Sequence, residues 1–449
     1  MPILLDDSRA AASLAIVRNV AGRLQNPEII KQAADSVKKE TRLPKGFVWQ
    51  PHSVAQGFTG LALLWGYMDT CYPDEGWDRI ARQHIELAVH AIENLPLPNL
   101  GLYSGLSGLA FTASYLSCDG ARYQKLLSGI ERVLIPRSVE LALSVRTRRG
   151  GGGVSDFDVI SGLAGISRYL LLRRQHEPAH AALQQVLQSL VWLAEQENGL
   201  PRWYTPAQFL RDDSSLKLYP NGNLNCGLAH GCPGILSALS ISELAGQNVA
   251  GMSEAINRLA DWLAGHTIMD EWGINWPTAV PLSSDLQPMV IGHGDNRPEA
   301  AVYRSSRSAW CYGSTGVARA IWLAGKAVGN SEYQRLGIEA MEAVYRRPIP
   351  ARRIDSPTFC HGIAGLLQVT LRFASDTGLP SFFDAASSLC DQLVSHYQPE
   401  SLVGFLNIEP GGRRVEQPGL LDGAAGVLIS LLAASTVCPP SWDALFLLC

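Results

Sequence analysis

A four-residue mark, Gly-x-x-Gly followed by an apolar stretch, occurs seven times along this chain of 449 residues. The copies are Gly57–Gly60, Gly105–Gly108, Gly162–Gly165, Gly231–Gly234, Gly313–Gly316, Gly362–Gly365 and Gly423–Gly426. The stretches after them include Leu61-Ala62-Leu63-Leu64, Ile166-Ser167-Arg168-Tyr169-Leu170 and Val427-Leu428-Ile429-Ser430-Leu431-Leu432. Near-continuous apolar character suits a helix buried on most sides. The glycines permit close backbone approach or positive φ at each helix entrance. Self-similarity of this kind marks a repeat architecture.

Between the tetrads lie segments with amphipathic helical spacing. Examples are 79–94 (Ile80, Ile85, Ala88, Ile92), 253–264 (Ile256, Leu259, Trp262, Leu263) and 331–345 (Leu336, Ile338, Met341, Val344). With the segment 8–25, seven such outer helices precede seven inner ones. The expected fold is therefore all-α, an α/α toroid of seven inner and seven outer helices, in a single domain over 1–449. An open solenoid would need polar caps at both ends. The last unit is as apolar as the middle ones, which favours a closed ring with its glycine turns at one mouth.

The tetrads are unevenly spaced, at 48, 57, 69, 82, 49 and 61 residues. The two long intervals place insertions at 197–227 and 267–309, where long loops would shape the mouth of a site. The run Arg148-Arg149-Gly150-Gly151-Gly152-Gly153 reads as a mobile loop. It lacks the G-K-[ST] ending of a phosphate-binding loop.

Composition narrows the function. Apolar residues make up 47% of the chain, so a large core can form, and no apolar run is long enough to suggest a membrane span. The formal charge is −4 with no sustained basic block, which argues against nucleic acid as the main partner. Residues 1–18 carry Asp6 and Asp7 and lack a signal-peptide apolar core. Nine scattered cysteines in such a chain suggest thiols or metal ligands rather than a disulfide framework. A soluble, cytoplasmic protein is expected.

Three segments carry the chemistry: Leu228-Ala229-His230-Gly231, Trp310-Cys311-Tyr312-Gly313 and Cys360-His361-Gly362. Each stands at the mouth end of a repeat. Cys311, Cys360 and His361 form the ligand set of a catalytic zinc, which keeps a fourth position open. The plainer reading of each cysteine is a buried thiol. His230, one repeat earlier, suits general acid–base work, since histidine titrates near neutral pH. Asp158 either orients His230 or a substrate group, or is a helix cap. Arg307 either stabilises a developing oxyanion or is a solvated surface arginine. Cys226 and Cys232 flank His230 and are read as buried thiols, with a fourth ligand or a pocket thiol as the alternatives.

At these residues the chain resembles the lanthipeptide cyclases, the LanC family. Ala309-Trp310-Cys311-Tyr312-Gly313, Cys360-His361-Gly362-Ile363-Ala364-Gly365 and Leu228-Ala229-His230-Gly231 carry the likeness, with Gly273-Ile274-Asn275-Trp276-Pro277 beside them. Thr315 departs from a common proline of the family, on a turn and not at a ligand. The resemblance covers the whole chain. It implies an α/α toroid with zinc held by Cys311, Cys360 and His361, His230 as acid/base, and Asp158 and Arg307 assisting. It further implies a stand-alone cyclase in antibiotic biosynthesis. The substrate would be a dehydrated precursor peptide, leader plus core, and the partners a dehydratase and a transporter. The rings formed would be lanthionine or methyllanthionine.

Rival readings follow from the same features. A LanC-like enzyme that adds glutathione to dehydrated proteins would share the zinc site. Toroidal prenyltransferases include a carboxylate in their metal set, and toroidal glycosidases need two placed carboxylates. A non-catalytic peptide-binding scaffold with a structural zinc would want a fourth protein ligand.

Overall fold

The computed structural model describes residues 5–43, 48–118, 120–210, 212–289 and 306–449. Each tetrad opens a helix, and its first glycine is the residue that precedes the helix. These seven core helices are Phe58–Cys71, Leu106–Tyr115, Leu163–Leu172, Cys232–Leu244, Ser314–Val328, Ile363–Thr377 and Ala424–Ser435. In Ala424–Ser435 every residue is buried, as the apolar run requires. Replacing a leucine so placed by alanine costs about 2–5 kcal/mol.

Seven amphipathic helices alternate with them: Asp7–Leu24, Trp77–Glu93, Gln124–Thr147, Glu177–Leu193, Met252–Gly265, Ser331–Arg346 and Pro380–Ser395. Their buried residues recur at helical spacing. On Trp77–Glu93 these include Trp77, Ala81, Ile85, Ala88 and Ile92, and Trp77 stacks on Trp65 of the preceding core helix with ring centroids 5.6 Å apart. On Ser331–Arg346 the buried stripe is Tyr333, Gly337, Ala340, Met341 and Val344. Leu336 and Ile338, expected on it, are half-buried at its edges, because small residues there bring the helix closer to its neighbour.

The chain forms two compact units. One comprises Met1–Asn99, Tyr103–Gly129 and Arg353–Asp443; the other comprises Leu100–Leu102, Ile130–Arg352 and Ala444–Cys449. The first contains four core helices and the second contains three. In the second, Trp310 Nε1 donates to the Phe446 carbonyl at 3.1 Å and Arg319 Nε to that of Leu448 at 2.8 Å. The C-terminal residues are thereby fastened under the turn that carries Cys311.

The tetrads are glycine for reasons of space. The backbone carbonyl six residues upstream lies against the second glycine in five repeats; a Cβ on Gly316 would stand 2.2 Å from the Trp310 oxygen. Gly313 is the extreme case. Its φ is +96°, and a Cβ there would stand 1.4 Å from the Arg307 carbonyl oxygen, so no other residue fits.

The two insertions pair with each other. Asn223–Asn225 and Ala279–Pro281 form an antiparallel ladder, with Leu224 opposite Val280. Residues 290–305 of the second insertion lie outside the described residues. The segment 148–153, expected to be a mobile loop, lies outside helices and strands. Gly150 and Gly151 turn it at positive φ, Gly152 N–H donates to the Tyr204 carbonyl at 3.2 Å, and Arg148 pairs with Asp156.

Candidate functional site

The repeat fixes a register that sorts the candidate residues. Two positions before the first glycine stand Ala55, Tyr103, Ile160, Ala229, Cys311, Cys360 and Leu421; one before stand Gln56, Ser104, Ser161, His230, Tyr312, His361 and Asp422. Backbone hydrogen bonds lace neighbouring turns at this register. In the first unit Cys360 N–H donates to the Leu421 carbonyl at 2.8 Å, and Leu421 N–H to that of Ala55 at 2.9 Å. In the second, Ala229 N–H donates to the Cys311 carbonyl at 3.2 Å, and Val159 N–H to that of Ala229 at 3.1 Å. The cysteine backbones are therefore held by the sheet-like lacing of the turns, leaving only side-chain rotations open.

In the first unit, Cys360, His361 and Asp422 offer ligand atoms that all lie within 4.8 Å of one another. Asp422 is buried. Its Oδ2 accepts from Gln56 Nε2 at 3.0 Å, while Oδ1 lies 3.1 Å from His361 Nδ1. That contact lacks hydrogen-bond alignment, so Oδ1 is a buried acceptor with no hydrogen bond among the described residues. An unmet buried carboxylate oxygen is costly and suits a site that holds a cation. Thiolate, imidazole and carboxylate are all zinc ligands, so these residues fit the ion that the sequence suggests. Sequence reasoning missed Asp422. The signal was the register itself, since Asp422 stands where His230 and His361 stand in their own repeats.

In the second unit, the two oxygens of Asp158 face different partners, and neither caps the helix Leu163–Leu172, whose N-cap is Gly162. Oδ1 accepts from the backbone N–H groups of Ser161 and Gly162 at 2.7 and 2.9 Å, tying the turn that opens the third core helix. Oδ2 lies 2.6 Å from His230 Nδ1. Asp158 is 2% exposed and the His230 ring 35%, so a buried carboxylate orients a ring that solvent reaches. A neutral His230 that donates in this contact is the Nδ1–H tautomer. The Tyr312 ring packs at 6.2 Å from that of His230. Its hydroxyl accepts from Asn225 Nδ2 at 3.1 Å, and burial holds the phenol well above its usual pKa.

Cys311 is buried on the adjoining turn, and Arg307 is half-buried at the start of that turn. Arg307 belongs to the same unit as His230 and Cys311, whereas Cys360 and His361 belong to the other. Cys226 and Cys232 are fully buried, and burial pushes both thiols far above the ordinary range. They are plain core thiols. No disulfide joins any of the nine cysteines among the described residues, and no helix there is long and apolar enough to cross a membrane.

Comparison with known proteins places this geometry. The family model of lanthionine synthetase C-like proteins matches residues 48–447. The nisin biosynthesis protein NisC of Lactococcus lactis subsp. lactis is 25% identical over 362 residues, covering 79% of this chain and 82% of NisC. A solved nisin cyclase superposes with a TM-score of 0.74 at 21% identity, over 93% of this chain and 96% of that one. Its α/α toroid is the fold expected from the seven tetrads. With nearly the whole chain matched and the turn motifs in register, this protein belongs to the lanthionine synthetase C-like family.

Proposed function

We propose that this protein is a zinc-dependent, stand-alone lanthipeptide cyclase. It closes lanthionine and methyllanthionine rings in a dehydrated precursor peptide of leader plus core, in the cytoplasm, beside a dehydratase and a transporter. The observation that carries this reading is the aligned His230–Asp158 pair at 2.6 Å, on the same repeat register as Cys311, Cys360 and His361.

Cys311, Cys360 and His361 would hold the zinc, with Asp422 beside them. Bound zinc would supply deprotonation of a substrate thiol that at neutral pH is otherwise mostly protonated. The peptide sulfur forms a bond to the β-carbon of dehydroalanine or dehydrobutyrine, and the double-bond electrons move toward the α-carbon and amide oxygen. Arg307 stabilises the charge that builds on that oxygen. His230 delivers a proton from Nε2 to the α-carbon. Asp158 holds Nδ1–H and orients the ring before the proton leaves. One S–C bond and one C–H bond form, one S–H bond and one C=C π bond are lost, and nothing is oxidised. The insertions 197–227 and 267–309 are proposed to hold the peptide, since a flexible chain needs more contact than one sulfur can supply.

Cyclisation leaves peptide mass unchanged while removing thiols. Thiol alkylation and mass spectrometry of the dehydrated precursor, with and without enzyme and zinc, therefore test the reading. Loss of alkylatable cysteines supports it. A glutathione adduct with every peptide cysteine still alkylatable assigns the protein to the glutathione-adding class instead.

A further inference from the structure

We infer that Asp422 is a positioning residue for the metal-binding histidine, and that it fixes His361 as the Nδ1–H tautomer so that Nε2 meets the metal. The metal part of this inference rests on the proposed zinc reading; the tautomer part does not. Four observations carry it. The Asp422 side chain is 4% exposed and lies in the same unit as His361. Its Oδ1 stands 3.1 Å from His361 Nδ1 and has no other acceptor duty among the described residues. Its Oδ2 is pinned by Gln56, itself buried, so the carboxylate cannot turn away. Its backbone is fixed by the link from Cys360 N–H to the Leu421 carbonyl, which sets the carboxylate and the Cys360–His361 turn at one spacing.

A carboxylate that accepts the second N–H of a metal-binding imidazole fixes its tautomer, holds its plane and raises its basicity. A small turn of the His361 ring aligns Nδ1–H with Oδ1 and satisfies the unmet oxygen. The alternative is that Asp422 itself ligates the metal. That would complete four protein ligands, close the coordination sphere and make the centre structural. A positioning role keeps the open position that a catalytic site needs.

The test has two arms. In the zinc-free protein labelled with ¹⁵N-histidine, two-bond proton–nitrogen correlations report the tautomer of each ring, with the His361 signals identified by their loss in His361→Asn. The expected result is Nδ1–H for His361 in the wild type, lost in Asp422→Ala. An Nε2–H ring in the wild type overturns the inference whatever the metal does. In the second arm, zinc affinity is measured by competition with a chelator. Asp422→Ala is expected to bind zinc about 10- to 100-fold more weakly, Asp422→Glu to recover most of that loss, and His230→Asn to match the wild type. Affinity within twofold of the wild type in Asp422→Ala overturns the positioning role. Complete loss of zinc, as severe as in Cys360→Ala, makes Asp422 a ligand and also overturns it. Should Asp422→Ala fail to fold, the isosteric Asp422→Asn is judged by the same two limits. Retention of zinc by both Cys360→Ala and His361→Ala sinks the zinc reading and leaves the tautomer arm to decide on its own.

Discussion

The two histidine turns are built alike and equipped differently. Ala229-His230-Gly231 and Cys360-His361-Gly362 share a register, a lacing hydrogen bond and a buried aspartate at Nδ1. At His230 the residue before the histidine is an alanine, and the carboxylate contact is short and aligned. At His361 that residue is a cysteine, and the carboxylate contact is longer and unaligned. In the proposed reading this one repeat position separates two chemistries: Ala229 places no ligand beside His230, whereas Cys360 places beside His361 a thiol that would bind zinc. The aspartates differ in origin too. Asp158 stands four residues before its own repeat's glycine and doubles as a turn cap; Asp422 stands immediately before its glycine and is held by Gln56.

Removing the thiols should have the largest effect. Cys311→Ala and Cys360→Ala should each strip the metal, and His361→Ala should weaken its binding. Metal analysis of the purified variants checks this, and full zinc occupancy in both cysteine variants refutes the ligand set. His230→Asn should do the reverse: zinc and fold stay, and ring formation falls by about 10²- to 10⁴-fold. Zinc loss in that variant would move His230 into the ligand set, and wild-type cyclisation would end its acid/base role.

Asp158 allows a finer cut, because its two oxygens do different work. Asp158→Asn keeps a carbonyl oxygen for the Ser161 and Gly162 N–H groups but removes the charge facing His230. Ring formation should fall by about 10- to 10³-fold, bounded by the loss of the histidine itself, with thermal stability near that of the wild type. Asp158→Ala loses the cap as well and should cost a further 1–3 kcal/mol or so of stability. Equal stability of the two variants in thermal melts would show that the cap contributes nothing.

The sequence made the fold legible because its period is carried by sterics. A carbonyl that folds back six residues leaves no room for a Cβ, so only glycine fits there, as at Gly316 and Gly313. The amphipathic helices were legible where large residues face the core, as on Trp77–Glu93, and less so on Ser331–Arg346, where Gly337 and Ala340 take that face. The ladder between 223–225 and 279–281 was not legible, because it joins segments more than fifty residues apart with no local signal. Asp158 was legible as a candidate; that its two oxygens face a turn and a histidine needed the carboxylate to be placed. Asp422 was hidden by chemistry, since a search for thiols and imidazoles passes over a carboxylate that stands in their register.

The mildest prediction concerns the two thiols that flank His230. Cys226 and Cys232 lie within a few residues of the proposed acid/base yet sit wholly in the core. Burial disfavours the thiolate and raises both thiols far above the ordinary range. The sign is unambiguous: a raised thiol stays protonated at pH 8, where an exposed cysteine is partly ionised. In the folded protein both should therefore resist iodoacetamide at pH 8, while exposed Cys118 is modified. Cys226→Ala and Cys232→Ala should keep full zinc content and ring formation within about twofold, with a stability loss of roughly 1–2 kcal/mol for the small cavity left behind. Loss of zinc in either variant would give the His230 turn a metal-binding thiol after all. The distinction between a histidine that moves protons and a histidine that holds metal would then no longer follow the cysteine in the register.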